Sequence, residues 1–106
     1  NEDLAARLLA GGVRTGEELW RMPLHASYAE DMASEIADIK NVKEGGRAGA
    51  GTAAHFISFL TPEPTPWAHI DMAAVDRADS DLPTVPKGPR GYGVRVLDQL
   101  IRSYEK

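Results

Sequence analysis

The sequence predicts an α/β fold with few strands, its helices lying around part of a sheet. Three observations point there. Apolar residues recur at helical spacing in four separate segments, near residues 4–9, 28–36, 53–60 and 94–104. Trp67 to Ala73 alternates in the manner of a strand, with much apolar character on both sides, as in a strand buried within an α/β sheet. Glycine- and proline-rich stretches divide these elements. One strand cannot make a sheet, so partner strands are expected from elsewhere.

Asn1 precedes Leu4, Leu8 and Leu9 and has the character of a helix cap for a first helix, weakened at Gly11-Gly12. A chain that opens on a helix cap is expected to be a fragment of something longer. Thr15 and Glu18 have capping-box spacing ahead of Leu19-Trp20, and Pro23 stops that run. This region is either two helices or one long helix that tolerates its glycines. Ser27 and Glu30 repeat the capping-box spacing, and Tyr28, Met32 and Ile36 follow at intervals of four. Ile36 to Val42 also suits an extended segment. Residues 43–51, "KEGGRAGAG", form a glycine-rich loop, after which Thr52 can cap a helix with Ala53, Phe56, Ile57 and Leu60 on its apolar face. "TPEPTP" is a turn, because its alternate prolines forbid a helix. Asp76 to Arg90 is polar and proline-bearing, hence a loop. Val94, Leu97, Leu100, Ile101 and Tyr104 mark a final amphipathic helix.

Composition narrows the function classes. The 106 residues leave room for one domain at most, with 42% apolar and 26% charged residues. Twelve basic against sixteen acidic side chains give a net charge of −4, so no overall attraction to a nucleic acid backbone is expected. No apolar run has membrane-spanning length. The absence of cysteine excludes disulfides, thiolate zinc sites and thiol catalysis, and suits a cytoplasmic protein.

Several constellations invite a chemical reading. His69 and Asp71 share one side of the expected strand, with Asp76, Asp79 and Asp81 close behind. Imidazole and carboxylate both suit zinc or manganese, but a site needs three or four converging ligands and only two are fixed here. The competing reading is that the pair hydrogen-bonds neighbouring backbone. Gly49-Ala50-Gly51-Thr52-Ala53-Ala54 matches G-x-G-x-x-A at a helix start, with Asp71 twenty residues beyond Gly51. These are ingredients of a dinucleotide or phosphate site, yet the motif needs a strand running into its first glycine, and "KEGGRA" intervenes. His25 and His55 have no serine or cysteine at a telling spacing, so no triad is argued. Lys87 to Gly91 is a small basic cluster that reads as a solvated loop.

In order, "RTGEELWRMPL", "IADIKNV", "GGRAGAGTAAHFI", "PWAHIDMA" and "VPKGPRGYGVRVL" span nearly the whole chain. Together they resemble the C-terminal stretch of the leucyl aminopeptidase, or cytosol aminopeptidase, family. The resemblance implies that residues 1–106 are an incomplete domain, the C-terminal portion of an aminopeptidase-type α/β sandwich built on a mixed sheet. It further implies a cytoplasmic, homohexameric parent that removes N-terminal amino acids from peptides with two divalent metals, zinc or manganese. The family's metal ligands are a lysine and several carboxylates, including those of an Asn-Thr-Asp-Ala-Glu-Gly-Arg stretch that does not occur here. By this resemblance His69 and Asp71 are structural, and this segment has no catalytic residue and binds no metal itself. Ala73 matches a residue lining the pocket for the substrate's first side chain. Asp76 falls at another pocket position, where an acid disfavours a purely apolar pocket. Ala74 stands where the family pattern usually has glycine, and its methyl crowds any closely approaching backbone or ligand. Two other readings remain at this point: a dinucleotide- or phosphate-binding module using the Gly49–Gly51 loop, and a non-catalytic assembly piece.

Overall fold

A computed structural model describes residues 1–105. It contains the helices α1 (Glu2–Thr15), α2 (Tyr28–Asp31), α3 (Gly49–Leu60) and α4 (Val94–Arg102). Strands β1 (Arg77–Ala78) and β2 (Gly88–Pro89) pair antiparallel, with Arg77 opposite Pro89 and Ala78 opposite Gly88. A further bridge joins Leu82 to Val85 within the same hairpin. The chain divides into two compact units, residues 1–21 with 70–106, and residues 22–69.

In the first unit, α1 begins as its sequence dictates: Asn1 Oδ1 accepts from the Leu4 amide at 3.0 Å, and Glu2 and Asp3 occupy the first turn. The helix runs through both glycines and ends on Gly16 in the left-handed conformation. Its glycines have a packing reason. Helix α4 lies against α1, and a β-carbon on Gly11 would sit 3.5 Å from Val96 Cγ2 and Gln99 Cγ. At Gly12 it would fall 2.7 Å from the Glu17 carbonyl oxygen, because the chain doubles back over this face. Leu8 and Val96 are buried at this junction. At the far end, the Arg7 guanidinium lies 4.5 Å from the Tyr104 ring centroid and donates to the Ser103 carbonyl at 2.9 Å, a cation at a helix C-terminus.

The two glycines should therefore respond oppositely to a methyl group. Gly11→Ala meets only ordinary contacts and gains helix propensity, stabilising by up to about 1 kcal/mol. Gly12→Ala drives a methyl into backbone and should destabilise by ~1–3 kcal/mol despite the same propensity gain. Denaturant unfolding of the two variants in the full-length chain checks this, and shifts of the same sign would sink the packing account.

Thr15 and Glu18 do not form a capping box. The Thr15 hydroxyl donates back to the Gly11 carbonyl at 2.9 Å, so it closes α1 and starts no second helix. The apolar stripe expected on α4 is present but faces outward: Val94, Leu97, Ile101 and Tyr104 are all exposed, and Val96 is the residue that α1 covers.

In the second unit, α2 is a single turn that stops at Asp31. Ser27 gives it no side-chain cap, because its hydroxyl is engaged by His25 Nδ1 at 2.8 Å. Met32 is buried, but Ile36, on the same expected stripe, is 98% exposed. Residues 36–42 form bends rather than an extended strand. Lys43 closes this stretch with an ion pair to Asp31 at 2.6 Å. Helix α3 starts three residues before Thr52, and Thr52, within its first turn, donates to the Ala48 and Gly49 carbonyls. The Tyr28 ring packs on Gly51, where any β-carbon would lie 2.5 Å from the ring. Ile57 and Leu60 stay exposed on the face read as apolar.

The strand expected over Trp67–Ala73 forms no ladder. Residues 66–72 have no regular structure, and the residues from 68 to 73 are exposed except for half-buried Ile70. The strands instead lie within residues 77–89, inside the segment read as loop. A fully buried strand needs hydrogen-bonding neighbours on both edges, and none of the described residues supplies them.

Candidate functional site

Ala73 and Asp76, the two positions that the family resemblance assigns to a pocket, sit on one tight turn. Asp71 makes the turn possible, since its Oδ1 accepts from the Ala73 amide at 3.0 Å in the manner of an Asx turn. The Met72 carbonyl then accepts from the amides of Val75 at 3.0 Å and Asp76 at 3.1 Å. The Asp76 carbonyl accepts from the Arg90 amide at 2.8 Å, which extends the β1–β2 pairing by one rung. Both backbone groups of Asp76 are thereby fixed. Its carboxylate has no hydrogen bond or ion pair among the described residues and faces solvent, as does the Ala73 methyl.

The turn is backed by the loop before α4. A β-carbon on Gly93 would lie 3.3 Å from Met72 Sδ, and Gly93 has φ +99°, so only glycine fits here comfortably. Helix α4 has no serine, threonine, aspartate or asparagine at its start; Gly93 is its N-cap. The cap is supplied from far away in sequence. Glu17, 3% exposed, places Oε2 2.9 Å from the Val96 amide and 3.2 Å from the Gly93 amide. Its Oε1 accepts from Arg95 Nε at 3.1 Å. Burial pushes the Glu17 carboxyl up, but the Val96 and Gly93 amides and the Arg95 guanidinium outweigh it and hold it below the ordinary value. The Tyr92 hydroxyl donates to the Glu18 carbonyl at 2.5 Å, with the Glu17 carbonyl at 3.3 Å. Burial, then the nearby Glu17 and Glu18 charges, raise the Tyr92 phenol. Glu17 is not among the residues the sequence singles out; its signal is an amphipathic helix that begins at Gly-Tyr-Gly with no capping residue of its own.

The other sequence candidates do not assemble. Asp71 is committed to its turn, and Asp81 Oδ1 accepts from the Lys87 amide at 2.8 Å. Among the described residues no three histidine, aspartate or glutamate side chains converge as a metal requires. The Gly49–Gly51 loop has no strand leading into it, and Gly51 answers to Tyr28 packing. The hollow beside it, lined by Val42, Lys43, Arg47, Gly49 and Thr52 among others, holds about 150 Å³, below the ~300–1,000 Å³ of small-molecule sites. The dinucleotide reading loses its structural context.

Comparison with known proteins decides the family. The model of the cytosol aminopeptidase family, catalytic domain, matches residues 1–98. This chain belongs to the cytosol aminopeptidase family. It is 44% identical over 105 residues to the cytosol aminopeptidase of Rickettsia prowazekii (strain Madrid E), covering 98% of this chain and 21% of the relative. The crystal structure of a cytosol aminopeptidase from Coxiella burnetii superposes on all of this chain and 23% of that one, with a TM-score of 0.89 at 31% identity. The bottromycin maturation enzyme BotP in complex with Mn gives a TM-score of 0.89 at 34% identity, over 97% of this chain and 23% of that one. The chain thus spans about a fifth of the length of these aminopeptidases. The α/β class and the aminopeptidase resemblance both stand. No helix among the described residues is long and apolar enough to cross a membrane.

Proposed function

We propose that these residues are the C-terminal part of the catalytic domain of a metal-dependent leucyl aminopeptidase, which removes N-terminal amino acids from peptides. The observation that carries this reading is the family match across nearly the entire chain. The outward apolar faces of α3 and α4 support it, because Ile57, Leu60, Val94, Leu97 and Ile101 would otherwise stand in water. Their partner is the rest of the aminopeptidase chain, whose sheet would also take up residues 67–73 as a strand. Two divalent metals, zinc or manganese, are held by that remainder, and the whole protein is a cytoplasmic homohexamer. This segment contributes scaffold and one wall of the substrate pocket.

Ala73 and Asp76 form that wall. A methyl at Ala73 leaves room for the substrate's first side chain, and the Asp76 carboxylate, unpaired among the described residues on a residue whose main chain is fixed, favours a first side chain that carries a cation. In the full-length enzyme, Ala73→Leu should lower kcat/KM for leucyl more than for alanyl substrates by ~1–3 kcal/mol, the worth of lost pocket space. Asp76→Met should move preference from lysyl toward leucyl substrates by about tenfold, or ~1.4 kcal/mol. Steady-state kinetics on alanyl, leucyl and lysyl anilides tests both. Equal effects on all three substrates would remove the pocket assignment.

A further inference from the structure

We infer that Glu17 is a positioning residue for the Met72–Asp76 turn, acting at a distance through the loop that opens α4. The effect on substrate choice rests on the pocket reading above; the brace itself rests on geometry alone. Three contacts form the chain of support. Glu17 fixes Gly93 and Val96 by their amides. Tyr92, between the two glycines, ties the same loop to the Glu17 and Glu18 carbonyls. Gly93 then presents bare backbone to Met72, whose carbonyl closes the turn onto Val75 and Asp76. On the other flank the Arg90 amide holds the Asp76 carbonyl.

The arrangement is specific in its chemistry. A buried carboxylate accepting from two amides and a guanidinium stiffens a loop that carries glycines at positive φ on both sides of Tyr92, at Gly91 and Gly93. Gly93 allows the close approach to Met72, and both glycines make the loop soft without its anchor. Glu17 touches neither Ala73 nor Asp76, so its removal alters the turn's rigidity and leaves its side chains intact.

Glu17→Gln keeps the shape and loses the charge; Tyr92→Phe removes the second tie with little change in volume. In the full-length enzyme both are compared with the parent by hydrogen exchange and by kinetics. The Val75 and Asp76 amides should exchange about fivefold or more faster in each variant, while α3 amides are unchanged. The ratio of kcat/KM for leucyl over alanyl substrates should fall several-fold, with kcat on alanyl substrates retained. Unchanged exchange at Val75 and Asp76 in both variants overturns the inference. So does intact selectivity in both variants when Ala73→Leu does shift selectivity. Faster exchange with selectivity untouched by any variant, Ala73→Leu included, upholds the brace and removes the pocket reading instead.

Discussion

Supplied with zinc or manganese, a polypeptide of these 106 residues should release no aniline from aminoacyl anilides above the uncatalysed rate. Enzymes of this kind gain factors of about a million or more over the reference reaction, so the expected loss is total. The reason is that no set of ligands converges among the described residues, and several of the carboxylates are already engaged. Asp3 pairs with Arg7, Glu2 with Arg21, Asp31 with Lys43, Glu17 with Arg95 and Asp98 with Arg102. Asp71 and Asp81 hold backbone amides. His25 is engaged by Ser27. A divalent metal that activates water needs three protein ligands converging with a position left open, and among the described residues none do. Activity that co-purifies through several columns and disappears with chelator would show that a site has been missed.

The helices were legible because their signals are local. Asn1 caps α1, and the periodic apolar residues locate α3 and α4 within a few positions. Which face is covered was not legible, since that depends on a partner: α4 shows Val94, Leu97 and Ile101 to solvent and buries Val96. Residues 67–73 have the composition of a buried strand, and that composition describes a neighbourhood that these residues do not themselves provide. The false capping boxes fail for a related reason. Spacing of Thr15 and Glu18 is compatible with a box, but the hydroxyl prefers the Gly11 carbonyl four residues back, and the acid that does cap a helix is Glu17, whose partner Gly93 lies 76 residues further along the chain. Ala73 and Asp76 are legible only through family resemblance; the Asx turn at Ala73 follows from Asp71 and is readable from the residues.

Glu17→Ala should cost about 3 kcal/mol, as much as truncating a buried apolar side chain. The substitution leaves the Gly93 and Val96 amides buried without an acceptor, each worth ~1–3 kcal/mol when orphaned, and the values do not add fully. These two bonds are the side-chain cap that α4 receives among the described residues, and a cap is typically worth ~1 kcal/mol. Arg95 contributes less than the amides, because its side chain is 65% exposed and its ion pair is screened by solvent. Arg95→Ala should therefore cost under ~1 kcal/mol. The pH dependence has a definite sign. Folding holds the Glu17 carboxyl below its ordinary value, so the folded state favours the ionised form. The resulting stability is fully present above the unfolded-state value of about 4.3 and is lost as pH falls through the folded-state value. Denaturant unfolding of the parent and of Glu17→Ala in the full-length chain, followed from pH 7 downward, should show the gap between them narrowing in that acid window. A gap that stays constant with pH would mean that the carboxylate charge does not hold α4, and that the loss at neutral pH comes from packing alone.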